Sequence, residues 1–239
     1  MGITAENIAE RAGIDRAAQD AFALESHRRA AHAIAEGRFA EQILPLTVKQ
    51  GRKEVVFDTD EHVRADVKAE DLAKLRPAFR KDGTVTAGNA SGLNDAGAAV
   101  VLMEEGVAAA RGVAPLARIV AYGLGGVAPE VMGLGPVPAV RQALSRAGLK
   151  VSDIDVIASN EAFAVQACAV SAELGFAPEK VKPNGGAIAL GHPVGASGAI
   201  ILIKTVYEII RTGKRYGLAT MCIGGGQGIA VIVENPAHD

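Results

Sequence analysis

The alternation of short apolar runs with helical segments after about residue 114 is the feature that most constrains the fold. The runs ARIVAYGLG (117–125), DIDVIAS (153–159) and YGLATMCI (216–223) are separated by segments with the 3.6-residue period of a helix. The last run is joined to IAVIVE (229–234) by only GGGQG, which predicts a hairpin. Strands that alternate with helices favour a layered α/β domain, and the hairpin makes its sheet mixed.

The first part of the chain predicts two helices and a pair of strands. Thr4 is expected to cap a short helix that ends at Gly13, and Asp15 a longer helix that ends at Gly37. Residues 43–58 alternate loosely and predict two short strands. This part is therefore expected to form an α+β unit.

A long polar region precedes the α/β part. Residues 61–97 are irregular and end in a cluster of Gly, Ser and Asn, which is typical of a functional loop region. The apolar run AAVVLME (98–104) predicts a buried strand, and a short helix is expected to follow it as far as Arg111.

Composition excludes several classes of function. The net charge of -2, the aromatic content of 4% and the lack of a basic run argue against a nucleic-acid partner. Since no apolar run reaches the roughly 20 residues needed to cross a bilayer, no membrane partner is expected. The two cysteines indicate free thiols in a reducing compartment, so we expect a soluble cytoplasmic protein.

No metal site is expected. His27 and His32 lie on the second predicted helix among charged residues, and a solvated face explains them. Their spacing of five residues is poor for a shared metal.

His192 is the first candidate for chemistry. It lies between Gly191 and Pro193 in a loop rich in glycine, where the backbone can approach closely from several sides. A histidine in such a loop can act as a general base or donate to an oxyanion. The alternative is a loop histidine bonded only to backbone.

Asn160 and Cys222 are further candidates at strand ends. Asn160 either caps the following helix or points off the sheet, where its amide could hold a water or an oxyanion. Cys222 is either a small core residue or a reachable thiol, since Gly224 and the next two glycines leave bare backbone N–H groups beyond it. Cys168 lies mid-helix and is expected to pack in the core.

Six motifs stand out along the chain: MGITAENIAE (1–10), LAKLRPAF (72–79), GTVTAGNASGLNDAGA (83–98), NEAFA (160–164), GGAIALGHPVGASGA (185–199) and CIGGGQG (222–228). In this order and spacing they resemble the thiolases, over essentially all 239 residues. The resemblance implies the thiolase-like layered α/β fold and acyltransferase chemistry, the condensation of two acetyl-CoA to acetoacetyl-CoA or the reverse thiolysis. The coenzyme A thioester would be the substrate, with no further cofactor.

The resemblance also implies a role for each candidate. His192 would activate a nucleophilic cysteine and contribute to an oxyanion hole, and Asn160 would fix a water there. Cys222 would take a proton from the acetyl methyl group, and the Gly224 N–H would donate to the thioester oxygen. The residues implied to bind coenzyme A are Arg64, Phe79, Ala87, Ser91 and Phe163.

Three segments follow from the same resemblance. Residues 1–92 would be the loop domain that binds coenzyme A, residues 93–113 a remnant of the N-terminal domain, and residues 114–239 the C-terminal domain. The N-terminal half with the family's nucleophilic cysteine is expected to be absent, which would leave apolar surface exposed on 93–113.

The missing nucleophile leaves two interpretations open. The chain is either a thiolase sequence whose nucleophile lies elsewhere, in missing sequence or on a partner chain, or a CoA-thioester-binding subunit or fragment without full turnover. A homo-oligomer, or a partner with the N-terminal half, is expected on the resemblance. A ketoacyl synthase is disfavoured, because those enzymes use a second histidine or asparagine where this chain has Cys222.

Overall fold

The computed structural model describes residues 1–238, so Asp239, at the end of the predicted third segment, lies outside the described residues. Both predicted parts are present: a hairpin with two long helices, and then a mixed sheet with helices. The helices are α1 (Gly2–Ala12), α2 (Arg16–Ala35), α3 (Ala69–Ala73), α4 (Glu105–Ala110), α5 (Pro136–Ala147), α6 (Ala164–Leu174), α7 (Ala187–Leu190) and α8 (Ser197–Thr212). The strands are β1 (Leu46–Gln50), β2 (Lys53–Phe57), β3 (Arg118–Gly126), β4 (Val156–Ser159), β5 (Tyr216–Ile223) and β6 (Gln227–Glu234).

The large sheet has the strand order β3-β6-β5-β4. β5 and β6 pair antiparallel, which confirms the predicted hairpin, and β6 pairs antiparallel with β3. β4 and β5 are parallel, with Ser159 opposite Thr220. Because parallel strands end at the same edge, the residues that follow β4 and the last residues of β5 lie side by side.

Helices cover both faces of this sheet. Ile157, Leu218 and Ile232 point to the face that α5 and α6 cover, and they are fully buried. Their neighbours Val156 and Val233 point to the other face and pack against α8. The alternation of burial along each strand follows from its two-residue period.

The first part of the chain, whose helices α1 and α2 pack on α6, bears out most of its predicted elements. Asp15 accepts a hydrogen bond from the Ala18 N–H and caps α2 as predicted. The predicted cap by Thr4 is wrong, because α1 begins at Gly2 and the Thr4 hydroxyl donates to Met1 O. The predicted end of α1 at Gly13 and the predicted pair of strands are confirmed.

The strand predicted at residues 98–104 is wrong. The segment has no regular structure before α4, and the side chains of Val101 and Leu102 are 90% and 70% exposed. Within residues 1–238 no neighbouring strand pairs with it, so its apolar pattern has nothing to be buried against.

Two further expectations are corrected. His27 is buried rather than solvated, because its face of α2 packs inward and its Nδ1 accepts from the Arg64 N–H. Burial lowers the pKa of His27 to about 4, with smaller contributions from His62 and Arg64. The helix predicted from Asn160 begins at Ala164, so Asn160 does not cap it.

Candidate active site

Two of the sequence candidates meet at the edge where β4 and β5 end. Asn160 follows β4, and its backbone N–H donates to Thr220 O at 2.9 Å. Its side-chain Nδ2 lies 3.4 Å from His192 Nε2. Cys222 lies two residues beyond Thr220 on β5. The arrangement brings an amide and an imidazole together beside the strand end that carries the thiol.

The His192 imidazole is held by Ser197. Its Nδ1 lies 2.6 Å from Ser197 Oγ, and that hydroxyl donates to Pro193 O at 3.1 Å. Because the hydroxyl proton is used in this bond, Nδ1 carries the imidazole proton and donates to Ser197. Nε2 is then the unprotonated nitrogen, and its lone pair faces the Asn160 amide, which donates to it at 3.4 Å.

His192 is suited to accept a proton at neutral pH. Burial lowers the pKa of His192 below its ordinary value, and the positive charge of Lys182 lowers it further. The neutral imidazole is therefore the main form at pH 7. A neutral imidazole with an unprotonated Nε2 can take a proton from a thiol or a hydroxyl group nearby.

Residues 89–94 connect the two loops. Asn89 O accepts from the Ala164 N–H at 2.8 Å, and the Ser91 N–H donates to Ala162 O at 3.1 Å. Gly92 O accepts from the His192 N–H at 3.0 Å. This strip of extended backbone fixes the distance between the Asn160 loop and the His192 loop.

Both cysteines are protonated at neutral pH. Burial raises the pKa of Cys222 to about 11, and Cys222 packs in one apolar cluster with Phe163. Burial and then the negative charge of Glu161 raise the pKa of Cys168 to about 11. Cys168 is only partly buried, so its expected place in the core is confirmed only in part. Neither cysteine has the lowered pKa of an activated nucleophile.

Gly224 lies in the open. It follows β5 and is exposed, and a Cβ at this position would meet no atom within 4 Å. A ligand can therefore approach its backbone N–H directly, two residues from Cys222.

Three of the residues expected at coenzyme A lie together. The rings of Phe79 and Phe163 contact edge to face, with centroids 6.1 Å apart. The Ser91 hydroxyl donates to Ala162 O at 3.0 Å, one residue before Phe163. Phe79 is exposed while Phe163 is buried, so the pair forms an apolar wall that is open on one side.

Arg64 and Ala87, the other two residues expected at coenzyme A, form no described hydrogen bond with this wall. Arg64 is exposed, and its backbone is tied to His27 on α2. Ala87 is exposed between Thr86 and Gly88. Their contribution to a ligand site stays a prediction.

Sequence reasoning missed several residues of this site. Ser197 orients His192, and His62 Nδ1 lies 2.9 Å from Ala189 O in the segment that leads to His192. Glu161 and Lys182 form a buried pair behind Asn160. A signal existed for Glu161, since it is the one charge in the apolar run NEAFA, but nothing in the sequence marks its partner.

Two negative findings concern the described residues. Within residues 1–238 no group of three or more His, Cys, Asp or Glu side chains could hold a metal ion. None of the helices in that range combines the length and the apolar character required to cross a membrane.

Comparisons with known proteins identify the family. The model of the thiolase N-terminal domain matches residues 1–106, and that of the thiolase C-terminal domain matches residues 113–235. The chain belongs to the thiolase family. It is 61% identical over 235 residues to beta-ketothiolase BktB of Cupriavidus necator, and the match covers 98% of this chain and 60% of that protein.

Solved thiolase structures confirm the expected fold. The acetyl-CoA acetyltransferase of Bacillus anthracis has a TM-score of 0.96 and 52% identity over 98% of this chain and 59% of its own. Human mitochondrial 3-ketoacyl-CoA thiolase in complex with CoA has a TM-score of 0.92 and 44% identity, over 98% and 58%. The chain thus spans about 60% of the length of these thiolases.

Proposed function

We propose that this chain carries the thioester-binding and proton-transfer part of an acetyl-CoA acetyltransferase. The reaction condenses two acetyl-CoA to acetoacetyl-CoA and coenzyme A, or runs in reverse as thiolysis. The observation that carries the proposal is the approach of Asn160 Nδ2 to His192 Nε2 at 3.4 Å, at the edge where Cys222 ends β5.

His192 acts as the base for the acyl-accepting thiol. The lone pair on Nε2 takes the thiol proton, and the hydrogen bond from Nδ1 to Ser197 supports the positive charge that forms on the ring. Asn160 donates from its amide to a water or to the oxyanion of the enolate. The lowered pKa of His192 keeps the ring neutral before this step.

Cys222 acts in the carbanion step. When the acyl-accepting thiolate attacks the first acetyl-CoA, the protonated Cys222 gives its proton to the departing coenzyme A thiolate. As the resulting thiolate, Cys222 takes a proton from the methyl group of the second acetyl-CoA, and the enolate carbon attacks the carbonyl carbon of the acyl-enzyme. The carbon–sulfur bond to the acyl-accepting cysteine then breaks, and the leaving thiolate takes back the proton that His192 holds. The raised pKa of Cys222 favours this role, because a thiolate with high proton affinity is the stronger base toward carbon. The Gly224 N–H donates to the thioester oxygen of the acyl-enzyme.

Coenzyme A is proposed to lie along the wall formed by Phe79, Ser91 and Phe163, with Arg64 and Ala87 nearer its nucleotide end. The apolar rings suit the pantetheine arm, and a guanidinium group suits phosphate. No metal or further cofactor takes part in the proposed reaction.

The acyl-accepting thiol is proposed to come from outside these 239 residues. Cys168 and Cys222 are both protonated at neutral pH, so neither is prepared for nucleophilic attack. Either the further length that the relatives have or a partner chain would supply it. Assembly as a homo-oligomer and a cytoplasmic location belong to the same proposal.

The same observation favours a second candidate, a CoA-thioester-binding subunit that performs no full turnover. The two candidates differ in enolisation, which needs Cys222, His192 and Asn160 but no acyl-enzyme. Exchange of the acetyl-CoA methyl protons for deuterium therefore distinguishes them.

The test follows this exchange by ¹H NMR at pH 9, with binding of coenzyme A measured by calorimetry. We expect the chain to accelerate exchange, and Cys222→Ala and Asn160→Ala to abolish the acceleration, while Ser145→Ala on the exposed face of α5 leaves it unchanged. Binding without exchange would favour the second candidate. If neither is observed, the proposed function is wrong.

Mass spectrometry after incubation with acetyl-CoA tests the nucleophile. We expect no acetyl adduct on either cysteine. An adduct on Cys222 or Cys168 would contradict an external acyl-accepting thiol.

A further inference from the structure

A buried ion pair lies directly behind the two loops of the site. Glu161 follows Asn160 in the chain, and its Oε1 lies 3.7 Å from Lys182 Nζ. The side chains are only 2% and 6% exposed. Burying two charges costs several kcal/mol of desolvation each, so a role other than stability is expected for such a pair.

The Glu161 carboxylate connects three separate parts of the chain. Its Oε2 accepts from Ser26 Oγ of α2 at 2.8 Å and from the Ile188 N–H of α7 at 3.1 Å. Ser26 Oγ in turn accepts from the Gly186 N–H at 3.0 Å. Since α7 leads directly into His192, the carboxylate ties the Asn160 loop to the His192 loop.

The fit around the pair leaves no room for a side chain at Gly186. A Cβ there would lie 2.2 Å from both Glu161 Cδ and Lys182 Nζ. The backbone of Lys182 has a positive φ of 46°, which a lysine rarely adopts. Arg29 holds this conformation, because its Nη1 donates to Val181 O at 2.6 Å.

Lys182 and the catalytic candidates share one cavity. Asn160, Lys182 and Ser197, the partner of His192, all line a cavity of about 50 Å³. The ammonium group therefore lies behind the same small space that the catalytic loops enclose. Other titratable groups near this pair are Arg29 on α2, Cys168 on α6, Lys204 and Glu208 on α8, and His192 itself.

We propose that Glu161 and Lys182 are a positioning pair, in which the carboxylate fixes the Asn160 and His192 loops relative to each other and the ammonium group places a positive charge behind them. The role of the pair rests on the proposed function, since it matters only if these loops carry the chemistry. Its geometry and its effect on His192 can be tested without turnover.

The charge is tested by NMR titration of the His192 imidazole. Lys182→Met removes the positive charge, so we expect the pKa of His192 to rise toward its ordinary value. Lys182→Arg keeps the charge and should restore the lower pKa, and Lys214→Met, an exposed lysine at the far end of β5, should leave it unchanged. An unchanged pKa of His192 in a folded Lys182→Met protein would overturn the charge role.

The hydrogen bonds by which Glu161 links the Asn160 and His192 loops, here called the clamp, are tested by hydrogen exchange, first in the unaltered chain. The N–H groups of Gly186 and Ile188 lie at the start of α7 and have no acceptor within that helix, so their protection reports on Ser26 and Glu161. We expect slow exchange at both, whereas exchange as fast as in a surface loop would overturn the clamp even if the variants fail to fold.

Glu161→Ala should lower protection at Ile188 by about tenfold or more, because a hydrogen bond to a charged acceptor is lost. Glu161→Gln should retain part of the protection at Ile188. Glu173→Ala, on the exposed face of α6, is the control and should leave that protection unchanged. Loss of methyl-proton exchange with an intact clamp would count against the proposed function and not against the pair.

Discussion

At the scale of single residues, the site depends on groups whose protonation is set by burial. Cys222 is the clearest case. At pH 8 a thiol of pKa about 11 is about one part in a thousand thiolate, whereas one of pKa 9.0 is about one part in ten. We therefore expect iodoacetamide to modify Cys222 about a hundredfold more slowly than a free cysteine peptide at this pH.

The rate should rise about tenfold per pH unit up to about pH 11, as the thiolate fraction grows. Intact-mass measurement on the Cys168→Ala protein isolates the signal of Cys222. A rate within tenfold of the peptide at pH 8 would contradict the raised pKa.

Lys204 gives a second residue-scale prediction, in which burial lowers the pKa instead of raising it. Its ammonium group lies 3.6 Å from the centre of the Phe39 ring. Burial lowers the pKa of Lys204 from 10.5 to about 8, Asp60 opposes this, and Lys182 lowers it further. Because the folded-state pKa is the lower one, the charged lysine destabilises the fold below about pH 8, and this penalty disappears as pH rises toward 10.5.

The Lys204→Met protein should therefore be more stable to unfolding than the unaltered chain at pH 7, by about 2 kcal/mol after allowance for the lost cation–π contact. The gain should be absent near pH 11. Urea unfolding at both pH values measures it, with Lys214→Met as the control. Equal effects of Lys204→Met at the two pH values would argue against a lowered pKa.

Sequence reasoning at this scale found the residues whose chemistry is visible locally. His192 among glycines and Asn160 at a strand end needed no knowledge of distant contacts. Glu161 and Ser26 are 135 positions apart, and only the fold brings them together. The same reason explains His27, whose burial depends on what packs against its face of α2.

At the scale of elements, hydrophobic periodicity and capping residues predicted which elements exist better than they predicted where each element begins. The segment with helical period between the apolar runs at 117–125 and 153–159 contains α5, which Gly148 caps in the left-handed conformation. α6 begins four residues later than predicted, because Asn160 bonds to Thr220 and residues 162–164 pair with residues 89–91 instead of forming a helical turn. Tertiary pairing overrides local preference there.

The contact of β3 with α5 gives an element-scale prediction. A Cβ at Gly123 would lie 2.1 Å from Ala139 O and 2.6 Å from Ala143 N, both backbone atoms of α5. Gly123→Ala must push the helix from the sheet, so we expect a loss of about 1–3 kcal/mol in the free energy of unfolding. Gly126 on the same strand has no atom within 4 Å of its would-be Cβ.

Gly126→Ala is therefore the matched control and should stay within about 0.5 kcal/mol of the unaltered chain. Chemical denaturation of both variants measures their free energies of unfolding. Similar effects at the two positions would mean that strand propensity, not the close approach to α5, controls the result.

At the scale of the whole molecule, the described chain leaves an apolar groove open beside residues 99–103. Val101, Leu102 and the adjoining residues of 99–103 are exposed beside a groove of about 1060 Å³. Leu202, Val206 and Tyr207 of α8 form its opposite wall. The apolar pattern of 98–104 predicted a buried strand, and the exposure of the segment shows that the pattern could not indicate what is available to bury it.

An open apolar groove of this size favours association of the 239-residue chain. We expect sedimentation velocity to show self-association that grows with concentration, and the dye ANS to bind. Val101→Lys with Leu102→Lys should reduce both, because two charges in the groove would have to lose water on contact. Ile3→Lys, at an apolar residue of α1 that is 48% exposed and does not line the groove, should change neither. A strictly monomeric chain without ANS binding would mean that the apolar side chains of 99–103 cover one another in solution.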